Sequence, residues 1–121
     1  MDNQELPVFV KWTEFLEWLL AKTELFPKKT RFTFVNRIEN LSLDILEDLI
    51  EAKYTKEKKA ILKRANLKLE KLRILLRLSC NRNYLNLKGY EYGVKTINEA
   101  GRMLGGWIKE KENNETLRLS I

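Results

Sequence analysis

The sequence contains no histidine, one cysteine, two prolines and five glycines in 121 residues. Without histidine it lacks the usual general acid–base residue and a common zinc ligand. One cysteine cannot form a disulfide within the chain. Cys80 is read as a small, buried or partly buried hydrophobe. There is no uncharged apolar run of about 18 residues, so no membrane-spanning helix is expected. Met1 to Leu6 carries two acidic residues and no basic stretch, so no secretory signal is expected and the chain is placed in the cytoplasm. No catalytic constellation stands out, and neither a metal, a cofactor nor a small-molecule substrate is expected.

What is present favours helix. Leucine is the commonest residue, at 21 copies, and helix breakers are scarce. The length fits one small domain, placed at residues 1–112, with 113–121 as a flexible tail. Breaks fall at Phe26–Thr30, Tyr54–Thr55 and Asn81–Asn86. They divide the chain into helices predicted at about 7–25, 31–53, 56–81 and 87–111. Pro7 suits a helix start, and Thr30 and Thr55 are N-cap candidates.

At about 100° per residue each segment shows an apolar stripe. The first holds Val8, Trp12, Phe15, Leu16, Leu19 and Leu20. The second holds Phe34, Val35, Ile38, Leu41, Ile45, Leu49 and Ala52. The third holds Ile61, Ala65, Leu69, Leu72 and Leu76, and the fourth Tyr90, Val94, Ile97, Gly101, Leu104 and Ile108. Four such faces with short connectors predict an all-α, antiparallel up-down four-helix bundle.

Apolar residues are left over. Ala60, Leu67, Ile74 and Leu78 recur at heptad-like spacing on the side of the third helix opposite its core stripe. Phe32, Leu43 and Ile50 form a second group in the second helix, and Tyr92, Met103 and Trp107 one in the fourth. Three coherent second stripes point to a homo-oligomer interface, whereas singly exposed leucines are ordinary on any surface. The candidate interface residues are Leu67, Ile74, Leu78, Tyr92, Met103 and Trp107. Gly101 and Gly105, four apart in one helix, suggest close backbone approach. Trp12, Trp18 and Trp107 read as core or interface, and Tyr84, Tyr90 and Tyr92 as helix-end packing.

The net charge of +6 is unevenly placed. Lys56 to Arg82 holds ten basic and two acidic residues, a local +8, which leaves −2 for the rest. The basic residues flank the second apolar stripe: Arg64, Lys68, Lys71 and Arg82 on one side, Lys56, Lys59, Lys63 and Arg77 on the other. Copies assembled through that stripe would multiply a positive field suited to phosphate. The plainer alternative is a solvated face that pairs with the acidic second helix, which carries Glu39, Asp44, Glu47, Asp48 and Glu51. Glu47, Asp48 and Glu51 sit close at helical spacing, but no Glu-x-x-His answers them for a di-metal site.

Three blocks resemble one family. Phe26-Pro27-Lys28, Arg37-Ile38-Glu39-Asn40 and Leu49-Ile50-Glu51-Ala52 are similar to the second-helix region of the accessory variability determinant (Avd) proteins of diversity-generating retroelements. Ala65 to Arg73, followed by Leu75-Leu76-Arg77-Leu78, resembles their third helix. Gly101-Arg102-Met103-Leu104-Gly105-Gly106-Trp107-Ile108 resembles their fourth-helix signature and is the most specific of the three. The four-helix proteins encoded in 23S rRNA intervening sequences share the second-helix pattern and match less well in the fourth.

The resemblance implies a four-helix bundle that assembles into a homopentameric barrel. It also implies a non-enzymatic accessory subunit that binds the retroelement reverse transcriptase and nucleic acid, RNA or DNA, during mutagenic retrohoming. On that basis Lys68, Lys71, Arg73, Arg77 and Arg102 are candidate contacts for nucleic acid or the transcriptase. Lys63, Arg64 and Arg82, taken from the basic helix itself, complete the set. The alternative is an adaptor of the intervening-sequence type that works through protein contacts without nucleic acid.

Overall fold

Each amphipathic stretch forms a helix. The computed structural model describes the backbone of residues 7–120 and the side chains of residues 7–111. The helices are α1 (Pro7–Thr23), α2 (Asn36–Tyr54), α3 (Lys58–Asn81) and α4 (Leu87–Ser120), with no strand among the described residues. A 3-10 turn, Lys28–Thr30, and a π turn, Arg31–Val35, lead directly into α2. α2 packs between α1 and α3, and α4 closes the ring against α3 and α1.

Cross-helix pairs show that the neighbours are antiparallel, because residue numbers rise on one helix as they fall on the next. Lys58 meets Ala52 and Arg64 meets Asp48 between α2 and α3. Asn66 lies near Gly101 and Arg73 reaches Asn98 between α3 and α4. Lys11 meets Glu99 and Phe15 meets Tyr92 between α1 and α4.

The stripes, joined by Leu62 of α3, make the core. Trp12, Phe15, Leu19, Ile38, Ile45, Leu49, Leu62, Leu69, Leu72, Leu76, Ile97 and Leu104 are almost wholly enclosed. Each such side chain contributes about 1.5–3 kcal/mol through removal from water. The buried Trp12 Nε1–H donates to the Ser42 carbonyl at 2.9 Å and ties α1 to α2. This satisfies a polar atom that would otherwise cost stability there. Thr23 Oγ1 donates to Glu39 Oε2 at 2.6 Å and closes the other end of the same helix pair.

Several boundaries depart from the sequence reading for physical reasons. Thr30 is no side-chain cap: its hydroxyl donates back to the Pro27 carbonyl at 2.7 Å, holding the 3-10 turn. Thr55 ends α2, and α3 starts at Lys58 behind Glu57, again without a side-chain cap. Lys58 does the capping instead. Its Nζ donates to the carbonyls of Ala52 at 2.6 Å and Thr55 at 3.0 Å, a cation at the negative end of α2. α4 continues through Ser120 where the sequence reading ends it at 111, and no Gly or Pro follows Gly106 to stop it.

The turn between α3 and α4 uses its asparagines. Asn83 takes φ 63°, a left-handed conformation that asparagine tolerates better than most residues. Asn86 Oδ1 accepts from the Gly89 N–H at 2.7 Å and caps the start of α4. The close α3–α4 approach lies at Gly93, not at Gly101 or Gly105. A Cβ on Gly93 would come within 2.8 Å of Leu76 Cδ1, whereas one on Gly105 would meet nothing within 4 Å.

Candidate nucleic-acid interface

The leftover stripe on α3 faces away from the core. Leu67, Ile74 and Leu78 are 57%, 41% and 42% exposed. Leu43 and Ile50 of α2 are also exposed. Phe32 of the same group is exposed as well. It sits in the π turn, whose extra residue per turn breaks the 100° register assumed across it. The fourth-helix group is partly absorbed by its own bundle. Tyr92 packs edge-on against Trp18 at 4.7 Å between ring centroids, and Met103 and Trp107 are half-buried against the core. The Lys58 ammonium lies over the Trp107 ring at 5.7 Å.

The basic residues of α3 fall into two groups according to their partners. The first is engaged inside the chain. Asp48 of α2 is only 4% exposed, and its two carboxylate oxygens accept from Arg64 Nη2 at 3.1 Å and Lys68 Nζ at 2.7 Å. Arg64 also reaches Glu51 at 3.1 Å. The hydrogen bond and charge of Asp48 raise the Arg64 guanidinium above its ordinary value. Arg73 pairs with Glu70 on its own helix and donates to Asn98 Oδ1 of α4 at 2.8 Å. Its Nε is enclosed without a partner among the described residues. Arg82 lies over the Tyr84 ring at 5.9 Å.

The second group is free of such partners. Among the described residues, Lys63, Lys71 and Arg77 make no ion pair within the chain. All three are exposed beside the apolar seam. Lys71 and Ile74 line a groove of about 520 Å³ with Arg37, Asn40, Leu41, Asp44 and Leu75 between α2 and α3. Lys63 and Arg77 share a row with Asn66 and Arg73, the residues that face α4. Unengaged cations therefore lie on both sides of the exposed leucine seam. Arg102 of α4 is exposed and close enough to Glu99 to help hold that carboxyl below its ordinary value, after the larger effect of the Lys11 hydrogen bond.

A protein-family profile described as bAvd-like matches residues 8–111. The chain belongs to the bAvd-like family. No curated protein matches it. The match spans all four helices and includes the 101–108 segment, the most specific of the three resembling blocks. In this bAvd-like chain that segment lies on α4 with Leu104 in the core, and Gly105 and Gly106 have no neighbour within 4 Å among the described residues.

The sequence signals missed the buried carboxylate. By spacing alone Asp48 is one of three neighbouring acids on α2. Among the described residues no group of three or more His, Cys, Asp or Glu is arranged to hold a metal ion. The sequence mark that sets Asp48 apart is its place in the row Ile45–Asp48–Ala52, three residues after one core residue and four before the next.

Proposed function

We infer that this bAvd-like protein is a non-enzymatic accessory subunit of a diversity-generating retroelement in the cytoplasm. It assembles as a homo-oligomer, a pentamer by resemblance, and binds nucleic acid and the element's reverse transcriptase. The observation that carries this reading is the exposed Leu67–Ile74–Leu78 seam bordered by unpaired cations. An apolar seam on a charged helix is a surface for another chain. Cations left outside internal ion pairs are available to phosphate, and assembly repeats them around one body.

The split between the two cation groups narrows the site. Lys63, Lys71 and Arg77 serve polyanion contact, with Arg102 as the α4 contribution. Arg64, Lys68 and Arg73 chiefly hold helices together. The triple variant K63E/K71E/R77E is expected to abolish binding to a labelled RNA or DNA oligonucleotide with helicity retained. Arg64→Ala is expected to leave affinity near the starting value. Full binding by the triple variant would move the site off α3.

A second reading has one observation in its favour: internal pairing removes Arg64 and Lys68 from the available positive charge. An adaptor that works through protein contacts alone would oligomerise or bind a partner protein and show no affinity for either oligonucleotide.

A further inference from the structure

Among the described residues, the two most exposed large apolar side chains lie away from the α3 seam. Phe32 is 86% exposed and Leu25 is 79% exposed, and both sit on the segment joining α1 to α2. This segment is held firmly. The Thr30 N–H and hydroxyl both bond to the Pro27 carbonyl, at 2.9 and 2.7 Å. Phe26 and Phe34 pack on Tyr84 at 5.9 and 5.4 Å between centroids. Phe34 and Val35 thus turn inward while the π turn carries Phe32 outward. Single π turns in otherwise α-helical segments are often found at functional sites.

Three cations precede the ring in sequence, one of them adjacent to it. Lys28, Lys29 and Arg31 are all exposed, and among the described residues none has an ion pair within the chain. Lys28 and Arg31 also line, with Glu24 and Glu39, a cleft of about 420 Å³ between the end of α1 and the start of α2. An exposed ring with cations before and beside it matches what an unpaired nucleotide offers: a flat base and a phosphate on either side. An anionic bilayer fits less well. Membrane-surface binding draws on a broad apolar helix face, and here two isolated apolar side chains are separated by charge.

The geometry points to a second nucleic-acid contact at this end of the bundle, a single-strand subsite in which Phe32 stacks on a base and Lys28, Lys29 and Arg31 meet the flanking phosphates. It rests on the reading that the protein binds nucleic acid, and adds that unpaired strand is bound differently from duplex. The α3 cations contact backbone of either form, whereas Phe32 acts only where a base is free to stack.

The test is fluorescence anisotropy of the full chain with a labelled oligo(dT) and with a duplex of equal length. Phe32→Ala is expected to weaken oligo(dT) binding about ten-fold and leave duplex binding unchanged, with helicity intact by circular dichroism. Phe32→Tyr should restore most of the loss. Equal oligo(dT) affinity for Phe32→Ala and the unaltered chain, while K63E/K71E/R77E abolishes binding, overturns the subsite and leaves the accessory function standing. Failure of the unaltered chain to bind either probe overturns both. Loss on Phe32→Ala of co-sedimentation with phosphatidylserine vesicles, with oligo(dT) affinity unchanged, assigns the end to a membrane surface and overturns the subsite.

Discussion

Asp48 is the residue on which the α2–α3 contact turns. It is a nearly enclosed carboxylate satisfied by two cations from the facing helix. Replacing it with asparagine keeps the shape and removes the charge, leaving Lys68 opposite a neutral group. Asp48→Asn is expected to lower stability by about 1–3 kcal/mol, read as a shift in the urea midpoint. An unchanged midpoint would mean that the pair contributes nothing. Glu99 supports a pH-dependent prediction. Its hydrogen bond to Lys11 at 2.6 Å holds it below its ordinary value. A lowered carboxyl binds fewer protons folded than unfolded, so its contribution is present above the unfolded value and is lost as pH falls through the folded one. The Glu99 carboxyl, followed by NMR, should titrate lower in the unaltered chain than in Lys11→Met; coincident curves would refute the link.

At the scale of the element, the α3 stripe was legible but for one residue: Ile61, Ala65, Leu69, Leu72 and Leu76 are all buried, and so is Leu62, which the stripe leaves out. Its opposite seam was legible too, since one continuous α-helix keeps a constant angle per residue. The α1–α2 segment was not. Periodicity counted at 100° cannot see a π turn, so the angle between Phe32 and the row of Leu43 and Ile50 does not follow from spacing alone. Nor can it see that Tyr92, outside the α4 stripe, turns toward Trp18 of α1. The glycines of α4 separate in the same way. Gly93 admits Leu76, but Gly105 and Gly106 have no neighbour within 4 Å among the described residues. Alanine at position 105 should therefore stabilise the isolated bundle by about 1 kcal/mol through helix propensity alone. If another copy covers that face, Gly105→Ala should also weaken assembly. A thermal melt and light scattering on the same variant separate the two effects.

Across the whole molecule, net charge misstated what is available to a partner. The +8 of the 56–82 segment counts every cation equally, yet Arg64, Lys68 and Arg73 are engaged in internal pairs. Charge pairing is a property of neighbouring helices and cannot be read from one of them. What remains outward is an apolar seam with Lys63, Lys71 and Arg77 beside it, and a basic connector at one end. Leu67→Glu places a charge in the middle of the seam, and light scattering should then show a smaller assembly than for the unaltered chain. An unaltered chain that is monomeric at micromolar concentration would remove the oligomer. The central claim, that assembled copies present these cations to nucleic acid, is tested most directly by the salt dependence of oligonucleotide binding. The logarithm of the association constant should fall linearly and steeply with the logarithm of salt concentration, and the slope should shrink in K63E/K71E. A slope near zero would contradict the account.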